Sequence, residues 1–203
     1  MDAIIALGGS KLGRVLDVGA GDGVVSAEID RRNLASAIVA AEISASGIDK
    51  MRSRTFSSPF EIKQIDGYTL PFSDAEFDTA VCAHVIEHVE HERLFLKEIS
   101  RVAKQLYLIA PLEGGLRGRI DRRMGHINYY TPMSLRNLVE TSGFTVDGVR
   151  VFGASTERER IISGGLKGSI KNSIRRAVTL VAGPYAPHVM AHVMALHAVP
   201  DAR

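Results

Sequence analysis

A glycine-rich turn near the start of the chain constrains its fold more than any other feature. The turn reads Val-Leu-Asp-Val-Gly-Ala-Gly-Asp-Gly-Val-Val and occupies Val15–Val25. Its first branched apolar residues predict a strand that is buried on both faces. The three glycines that follow permit positive φ and let another molecule approach the backbone. A helix beginning near Val24 would direct its free N–H groups at the same loop. The pattern predicts a nucleotide-binding turn.

The spacing of the glycines narrows the kind of nucleotide. The dinucleotide fingerprint G-x-G-x-x-G requires a third glycine where this chain has Val24. Asp17 lies in the strand before the loop, and we expect the loop N–H groups to donate hydrogen bonds to its carboxylate. The order strand–Asp–x–Gly–x–Gly resembles motif I of the class I S-adenosylmethionine (SAM)-dependent methyltransferases. That resemblance implies that Asp17, Gly19, Ala20 and Gly21 bind the amino-acid end of SAM.

Composition indicates one soluble globular domain. The 203 residues are 45% hydrophobic and 24% charged, as in ordinary globular proteins. The single cysteine excludes an internal disulfide framework, and no signal-peptide pattern precedes the first predicted strand. No apolar run reaches the roughly 20 residues that span a bilayer. We therefore expect a cytoplasmic protein.

Apolar runs alternate with helical patterns along the chain. Strands are predicted at 14–19, 37–42, 61–65, 77–83, 105–111, 144–152 and 189–199, with helices near 24–33, 46–54 and 90–103. This alternation predicts an α/β fold with a largely parallel, doubly wound sheet. The resemblance implies a Rossmann-like sheet of seven strands, with an antiparallel C-terminal strand. The whole of 1–203 is then a single domain with a basic helical insertion at about 155–187.

Acidic residues follow the second and third predicted strands, where ligands bind in such sheets. Glu42 lies 19 residues beyond Gly23 and is expected to accept hydrogen bonds from both ribose hydroxyls. Asp66 and Gly67 form a turn after the third strand, and the Asp66 carboxylate suits the exocyclic amine of an adenine. As an isolated pair, Asp-Gly would indicate only a turn.

Further motifs extend the resemblance over residues 14–111. Leu70-Pro71-Phe72, then Phe77-Asp78, then His84-Val85-Ile86-Glu87-His88 follow in the order found in type 11 SAM-dependent methyltransferases. The resemblance implies methyl transfer with SAM as cofactor and S-adenosylhomocysteine as product. The cofactor-binding residues that it implies are Asp17, Gly19, Ala20, Gly21, Glu42, Ile43, Asp66, Gly67 and His84.

The run His84-x-x-Glu87-His88 also matches the H-x-x-E-H zinc pattern of inverzincin peptidases. On a helix the two histidines would share one face, with His91 as a third imidazole nearby. The run directly follows a buried strand, and an intact nucleotide-binding turn lies earlier in the chain. We therefore predict no metal site and place His84 beside the cofactor, while His88 either lines the pocket or packs structurally.

A second group of residues points to the methyl acceptor. The run His126-x-x-Tyr129-Tyr130-Thr131-Pro132 resembles a stretch that leads over the acceptor pocket in these methyltransferases. His126, Tyr129 and Tyr130 are thus predicted to contact the acceptor. His126 or His88 can act as a general base on a hydroxyl. A loop histidine can equally be structural, and transfer from SAM can need alignment alone.

The second half of the chain is basic. Residues 114–203 hold 13 Lys and Arg against 6 Asp and Glu, whereas residues 1–113 hold 12 against 17, so their net charges of +7 and −5 give +2. This favours an anionic partner or is an ordinary solvated surface. An apolar helical stripe over 166–181, flanked by Lys and Arg, either packs on the domain, covers the acceptor as a lid, or touches a membrane surface.

These observations predict methyl transfer from SAM to an oxygen, nitrogen or carbon of a small-molecule acceptor, free or linked to a sugar or lipid, and anionic if the basic half binds it. Nucleic acid is not the expected acceptor. The arginine run at 117–123 lacks the base-stacking platform that nucleic-acid binding would favour. A nicotinamide-dependent oxidoreductase and a non-catalytic SAM-binding protein remain alternatives. The oligomeric state cannot be predicted from these residues.

Overall fold

The computed structural model describes residues 1–112, 125–153 and 191–202. Within these residues, one sheet contains seven strands, whose bounds are β1 (Gly13–Val18), β2 (Ala35–Glu42), β3 (Phe60–Gln64), β4 (Thr79–Ala83), β5 (Leu106–Pro111), β6 (Phe144–Gly153) and β7 (Ala191–Pro200). Their order is β3-β2-β1-β4-β5-β7-β6. Strand β7 pairs antiparallel with β5 and β6, and the pairings among β1–β5 are parallel. The predicted fold class is confirmed.

Helices cover the sheet, and their bounds are α1 (Asp2–Ala6), α2 (Val24–Arg31), α3 (Ala45–Arg52), α4 (Glu92–Val102) and α5 (Pro132–Glu140). The short helix α1 was not predicted, because five residues give too few turns for a periodic pattern. Helix α4 begins at Glu92 rather than 90, since a 3₁₀ turn at Ile86–His88 comes first. Strand β4 begins at Thr79 rather than 77, and Phe77 makes only an isolated bridge to Ala103.

The side chains of strand β1 are buried on both faces of the sheet. Val15 belongs to the apolar cluster on one face, and Leu16 and Val18 belong to the cluster on the other. From β1, the sheet extends through β2 to β3 on one side and through β4 to β5 on the other, so the strand order reverses direction at β1. The crevice at such a reversal, outside the carboxyl ends of the strands, is where ligands bind in doubly wound folds.

The predicted basic insertion at about 155–187 lies outside the described residues, as do the apolar stripe at 166–181 and the arginine run at 117–123. These interpretations therefore stay predictions. In the part of the chain that the structure describes, no helix is long and apolar enough to cross a membrane.

Helix α5 starts at the sequence Thr131-Pro132, which is typical of an N-cap followed by the first helical residue. The Thr131 hydroxyl accepts a hydrogen bond from the Ser134 N–H at 3.1 Å, and the Ser134 hydroxyl accepts one from the Thr131 N–H at 2.9 Å. Pro132 occupies the first helical position, where no N–H is needed. This reciprocal pair fixes the direction in which the segment before the helix enters it.

We expect Thr131→Ala to lower the free energy of unfolding by about 1 kcal/mol, because the Ser134 N–H loses its acceptor. Urea denaturation measures the change. Met133→Ala is the matched control, since the Met133 side chain in the same helical turn is largely exposed. Equal stability of the two variants would contradict the capping role.

Candidate functional site

The glycine loop after β1 is anchored to the end of β2 by its own amides. The N–H groups of Gly19 and Ala20 both donate to the Ala41 carbonyl, at 2.8 and 3.1 Å. The Gly21 N–H donates to Oε2 of Glu42 at 2.7 Å. The loop is therefore held by the neighbouring strand, together with one internal hydrogen bond from the Gly23 N–H to the Ala20 carbonyl at 2.9 Å.

Two glycines of this loop are required for different reasons. At Gly19 (φ +72°), an added Cβ would lie 2.5 Å from Cγ2 of Val85, so this backbone packs directly against the chain that leaves β4. At Gly21 (φ +57°), no atom lies within 4 Å of an added Cβ. The backbone of Gly21 thus has an open face, as a cofactor that lies against the loop requires.

Glu42 is buried, with 6% of its surface exposed, and both of its carboxylate oxygens contact backbone donors. Oε2 receives the Gly21 N–H, and Oε1 receives the Ser44 N–H at 2.8 Å. A carboxylate oxygen has two lone pairs, so each can accept one further hydrogen bond. The side chain therefore combines a fixed orientation with capacity for two hydroxyl donors.

Asp17 is buried as predicted, but its predicted partners are wrong. Its Oδ2 accepts a hydrogen bond of 2.6 Å from the Ser26 hydroxyl on α2, while the loop amides donate to the end of β2. Burial raises the pKa of Asp17 to about 6, against the opposing effect of the Ser26 hydrogen bonds. An ionised carboxylate here is held at a cost in folding free energy.

Asp66, Gly67 and Ile43 lie together after β2 and β3. Oδ1 of Asp66 accepts from the N–H groups of Thr69 and Tyr68, at 2.8 and 3.0 Å, and these bonds lower the pKa of Asp66. Gly67 has φ +107°, and an added Cβ there would lie 3.5 Å from Cδ1 of Ile43. Ile43 is exposed, so this edge offers an apolar surface beside a fixed carboxylate.

The helical geometry required by the zinc-peptidase alternative is absent. His84 adopts a left-handed conformation with φ +58°, and the 3₁₀ turn begins only at Ile86. His84 and His88 consequently do not share a helix face. His84 is exposed, and its Nδ1 lies 3.5 Å from Oε1 of Glu87.

The structure brings His88 and His126 together. Their rings meet edge to face, with centroids 4.8 Å apart. The Ile127 and Asn128 N–H groups donate to the Glu87 carbonyl, at 2.9 and 3.1 Å, which fixes the segment that carries His126. The two predicted catalytic candidates thus form one group beside Val85, which packs on Gly19 of the glycine loop.

The two predicted acceptor-binding tyrosines have different environments. Tyr129 is 39% exposed, and its hydroxyl donates to the His126 carbonyl at 3.3 Å. Tyr130 is buried, and its hydroxyl donates to the Ile86 carbonyl and to Oε1 of Glu92, at 3.1 and 2.7 Å. Burial also raises the pKa of Tyr130. The Tyr130 hydroxyl therefore holds the segment in place, and only Tyr129 is available to an external molecule.

Sequence reasoning missed Ser26 and Asn128, and it noted Glu87 only as part of the H-x-x-E-H pattern. The signal for Glu87 is an acidic residue directly after the apolar pair Val85-Ile86. Asn128 donates from its side chain to the Val89 carbonyl at 2.6 Å and to the Ile86 carbonyl at 3.3 Å. No local pattern identifies this contact, because it joins residues 39 positions apart.

Residues 16–106 match the family model of a methyltransferase domain, type 11. This segment runs from β1 to the start of β5 and includes the glycine loop, Glu42, Asp66 and the turn with Glu87 and His88. No curated protein sequence matches the chain.

Solved structures share the fold over nearly the whole chain. A complex of the Haloferax volcanii Trm112 methyltransferase activator with a methyltransferase gives a TM-score of 0.76 at 12% identity, covering 99% of this chain and 88% of that chain. A SAM-dependent methyltransferase from Mesorhizobium loti gives 0.66 at 13% identity, covering 98% and 96%. The cyclase SpnF gives 0.69 at 19% identity, covering 99% and 80%.

Identities this low show a common fold, and the presence of a cyclase among the similar structures illustrates that this fold serves more than one reaction. The sequence match to the methyltransferase domain is the more specific finding, because it spans the loop and the strand ends of the site. The family match shows that residues 16–106 form a methyltransferase domain of type 11, and the shared fold agrees with a class I SAM-dependent methyltransferase, which implies S-adenosylmethionine as the cofactor.

Proposed function

We propose that this protein transfers the methyl group of SAM to an oxygen of a small-molecule acceptor, free or linked to a sugar or lipid, beside His88 and His126. The observation that carries the proposal is the position of this imidazole pair. Val85 packs on Gly19, so the turn that bears His88 borders the glycine loop. In-line transfer requires the acceptor to lie next to the cofactor, so polar groups beside the glycine loop are in the position to bind it.

The residues at the edge of the sheet fit SAM. The open face of Gly21 leaves room for the amino-acid part, and each Glu42 oxygen retains one lone pair for a ribose hydroxyl. Asp66 and Ile43 offer a carboxylate and an exposed apolar side chain to the adenine. When bound, SAM supplies an activated methyl group on a sulfonium. In this proposal Asp17 supports the site indirectly, through its hydrogen bond with Ser26 on α2. Ala20, Gly67 and His84 border the cofactor.

The reaction requires little acid–base chemistry from the protein. A lone pair of the acceptor oxygen forms the new bond to carbon. The electron pair of the broken carbon–sulfur bond returns to sulfur, giving S-adenosylhomocysteine, and the acceptor proton leaves to a base or to solvent. His88 Nδ1 lies 3.0 Å from the Gly125 carbonyl oxygen and donates to it, so the neutral ring has its lone pair on Nε2. Proton acceptance by His88 or His126 stays a prediction.

The proposed acceptor is anionic. The excess of Lys and Arg in residues 114–203 supports this choice, since a net charge of +7 in that half attracts anions. Sugar phosphates and lipid-linked phosphates are the corresponding substrate classes.

Titration calorimetry of the full chain with SAM, S-adenosylhomocysteine and NAD tests the cofactor, and formation of S-adenosylhomocysteine with a panel of anionic sugars and lipids tests the reaction. We expect micromolar binding of both sulfur compounds and acceptor-dependent product. An NAD isotherm would favour the oxidoreductase alternative. Tight SAM binding without product from any acceptor would favour the non-catalytic alternative.

We expect Glu42→Ala to weaken SAM binding by roughly 10- to 100-fold, because the ribose loses charge-assisted hydrogen bonds and the Gly21 N–H loses its acceptor. Calorimetric titration of the variant measures the loss. Glu61→Ala is the matched control, since Glu61 is an exposed glutamate on the adjacent strand β3. Affinity equal to that of the control would remove the ribose assignment.

Asp17→Asn tests the buried carboxylate. The folded-state pKa of about 6 lies above the ordinary aspartate pKa of 3.8, so the folded protein binds more protons between these values and its stability falls as pH rises through them. Two pKa units correspond to about 3 kcal/mol. We therefore expect Asp17→Asn, free of ligand, to be more stable than the native chain by up to about 3 kcal/mol at pH 7.5.

The gain should shrink as the pH approaches 4, where the Asp17 carboxyl is protonated in the folded protein. Urea denaturation across this range measures it, with Asp49→Asn on the surface of α3 as the control. A stability difference that does not change with pH would show that Asp17 is not the titrating group.

A further inference from the structure

Glu87, His88 and His126 form a cluster outside the set of residues that hold the cofactor. One potential ligand atom from each side chain lies within 4.8 Å of the other two. The cluster joins the 3₁₀ turn after β4 to the segment that precedes α5, so residues nearly 40 positions apart in sequence meet at one point. The sequence pattern H-x-x-E-H does not predict this set, because it pairs His84 with His88 and omits His126.

Hydrogen bonds to backbone carbonyls hold the two parts of the cluster together. The Glu87 carbonyl accepts from the N–H groups of both Ile127 and Asn128, and the Asn128 side chain donates to the Val89 and Ile86 carbonyls. His126 itself is 8% exposed. The segment that bears His126 is therefore hydrogen-bonded to the turn on both sides of Glu87, and this places the His126 ring beside His88.

The Glu87 side chain supplies an independent observation. It is 1% exposed, and its Oε2 has no hydrogen-bond partner among the described residues. Its other oxygen lies 3.5 Å from His84 Nδ1, too far for a good hydrogen bond. A buried carboxylate oxygen without a donor is costly, and such groups are normally paired or bound to a metal.

The hydrogen bond made by His88 is of the kind that supports metal-binding histidines. Its Nδ1 donates to the Gly125 carbonyl at 3.0 Å, which selects the tautomer with a lone pair on Nε2. A hydrogen bond from one ring nitrogen to a carbonyl or carboxylate is the usual support of a histidine that binds a metal through the other.

We propose that Glu87, His88 and His126 bind a divalent transition-metal ion. Two imidazoles and one carboxylate suit Zn²⁺, Co²⁺, Fe²⁺ or Mn²⁺ better than Mg²⁺ or Ca²⁺, which prefer oxygen ligands. Tetrahedral coordination with bonds of about 2.1 Å places ligand atoms about 3.4 Å apart, so side-chain rotations that move each ligand atom by about 1 Å bring all three to one ion.

Three protein ligands leave at least one coordination position open. Because Val85 packs on Gly19, the turn that bears Glu87 and His88 borders the glycine loop, beside the proposed cofactor site. The ion is inferred to hold the acceptor oxygen and to favour its ionised form, the role otherwise predicted for a histidine base. This role rests on the proposed function, whereas binding of the metal does not.

Metal binding is tested on the untagged full chain after chelator treatment and dialysis. Titration with Co²⁺, followed by its visible ligand-field absorption, and competition with Zn²⁺ report affinity and stoichiometry. We expect one site per chain. His126→Ala and Glu87→Gln should each weaken Co²⁺ binding by at least about tenfold. His91→Ala, an exposed histidine three residues from His88 and outside the cluster, should bind as the native chain does.

Thermal unfolding and SAM titration of each variant show whether it is folded. Absence of a Co²⁺ site in the native chain, or an unchanged site in folded His126→Ala, would overturn the metal inference and leave the proposed function in place. A cobalt site in a chain that does not bind SAM would uphold the metal site and overturn the proposed function. If His126→Ala fails to fold, Glu87→Gln decides, because that substitution keeps the backbone contacts to Ile127 and Asn128.

Discussion

The hydrogen bonds between the glycine loop and the end of β2 are the constraint on which the cofactor side of this structure depends. The amides of Gly19 and Ala20 bond to the Ala41 carbonyl, and that of Gly21 bonds to Glu42. The loop can take this course only because its glycines adopt positive φ. Glu42 therefore has two duties, since the carboxylate that faces the proposed ribose site also shapes the loop. Loop geometry and cofactor affinity are thus coupled through one side chain.

The regular elements could be predicted because they follow from local patterns. The apolar run around Val15, the acid that ends β2, and the Thr131 N-cap each depend on residues a few positions apart, and the structure has all three. Errors at the ends of elements have local causes too. Helix α4 starts two residues late because the 3₁₀ turn needs room after β4, and Phe77 lies outside the strand because it pairs with Ala103 alone.

The contacts within the site could be predicted less well, because they join distant parts of the chain. The partner of Asp17 is a serine on the next helix, and the partner of His88 comes from a segment 37 residues further along. Neither contact leaves a periodic signal. The zinc-peptidase pattern fails for a different reason. Its residue spacing is present in the sequence, but the spacing brings two histidines together only on a helix, and the left-handed backbone at His84 interrupts any helix there.

Two buried acids, Asp17 and Glu87, connect stability with chemistry. Asp17 is held at a raised pKa with one serine as its hydroxyl donor, and Glu87 has an oxygen without a partner in the described part of the chain. Either position would be more stable with a neutral residue of similar shape, because an ionised carboxylate loses hydration on burial. Both lie next to the glycine loop or to the turn that packs on it. Such a local cost is explained at Glu87 when a metal ion supplies the missing partner, and at Asp17 when the positive charge of the cofactor in the proposed complex favours the ionised carboxylate.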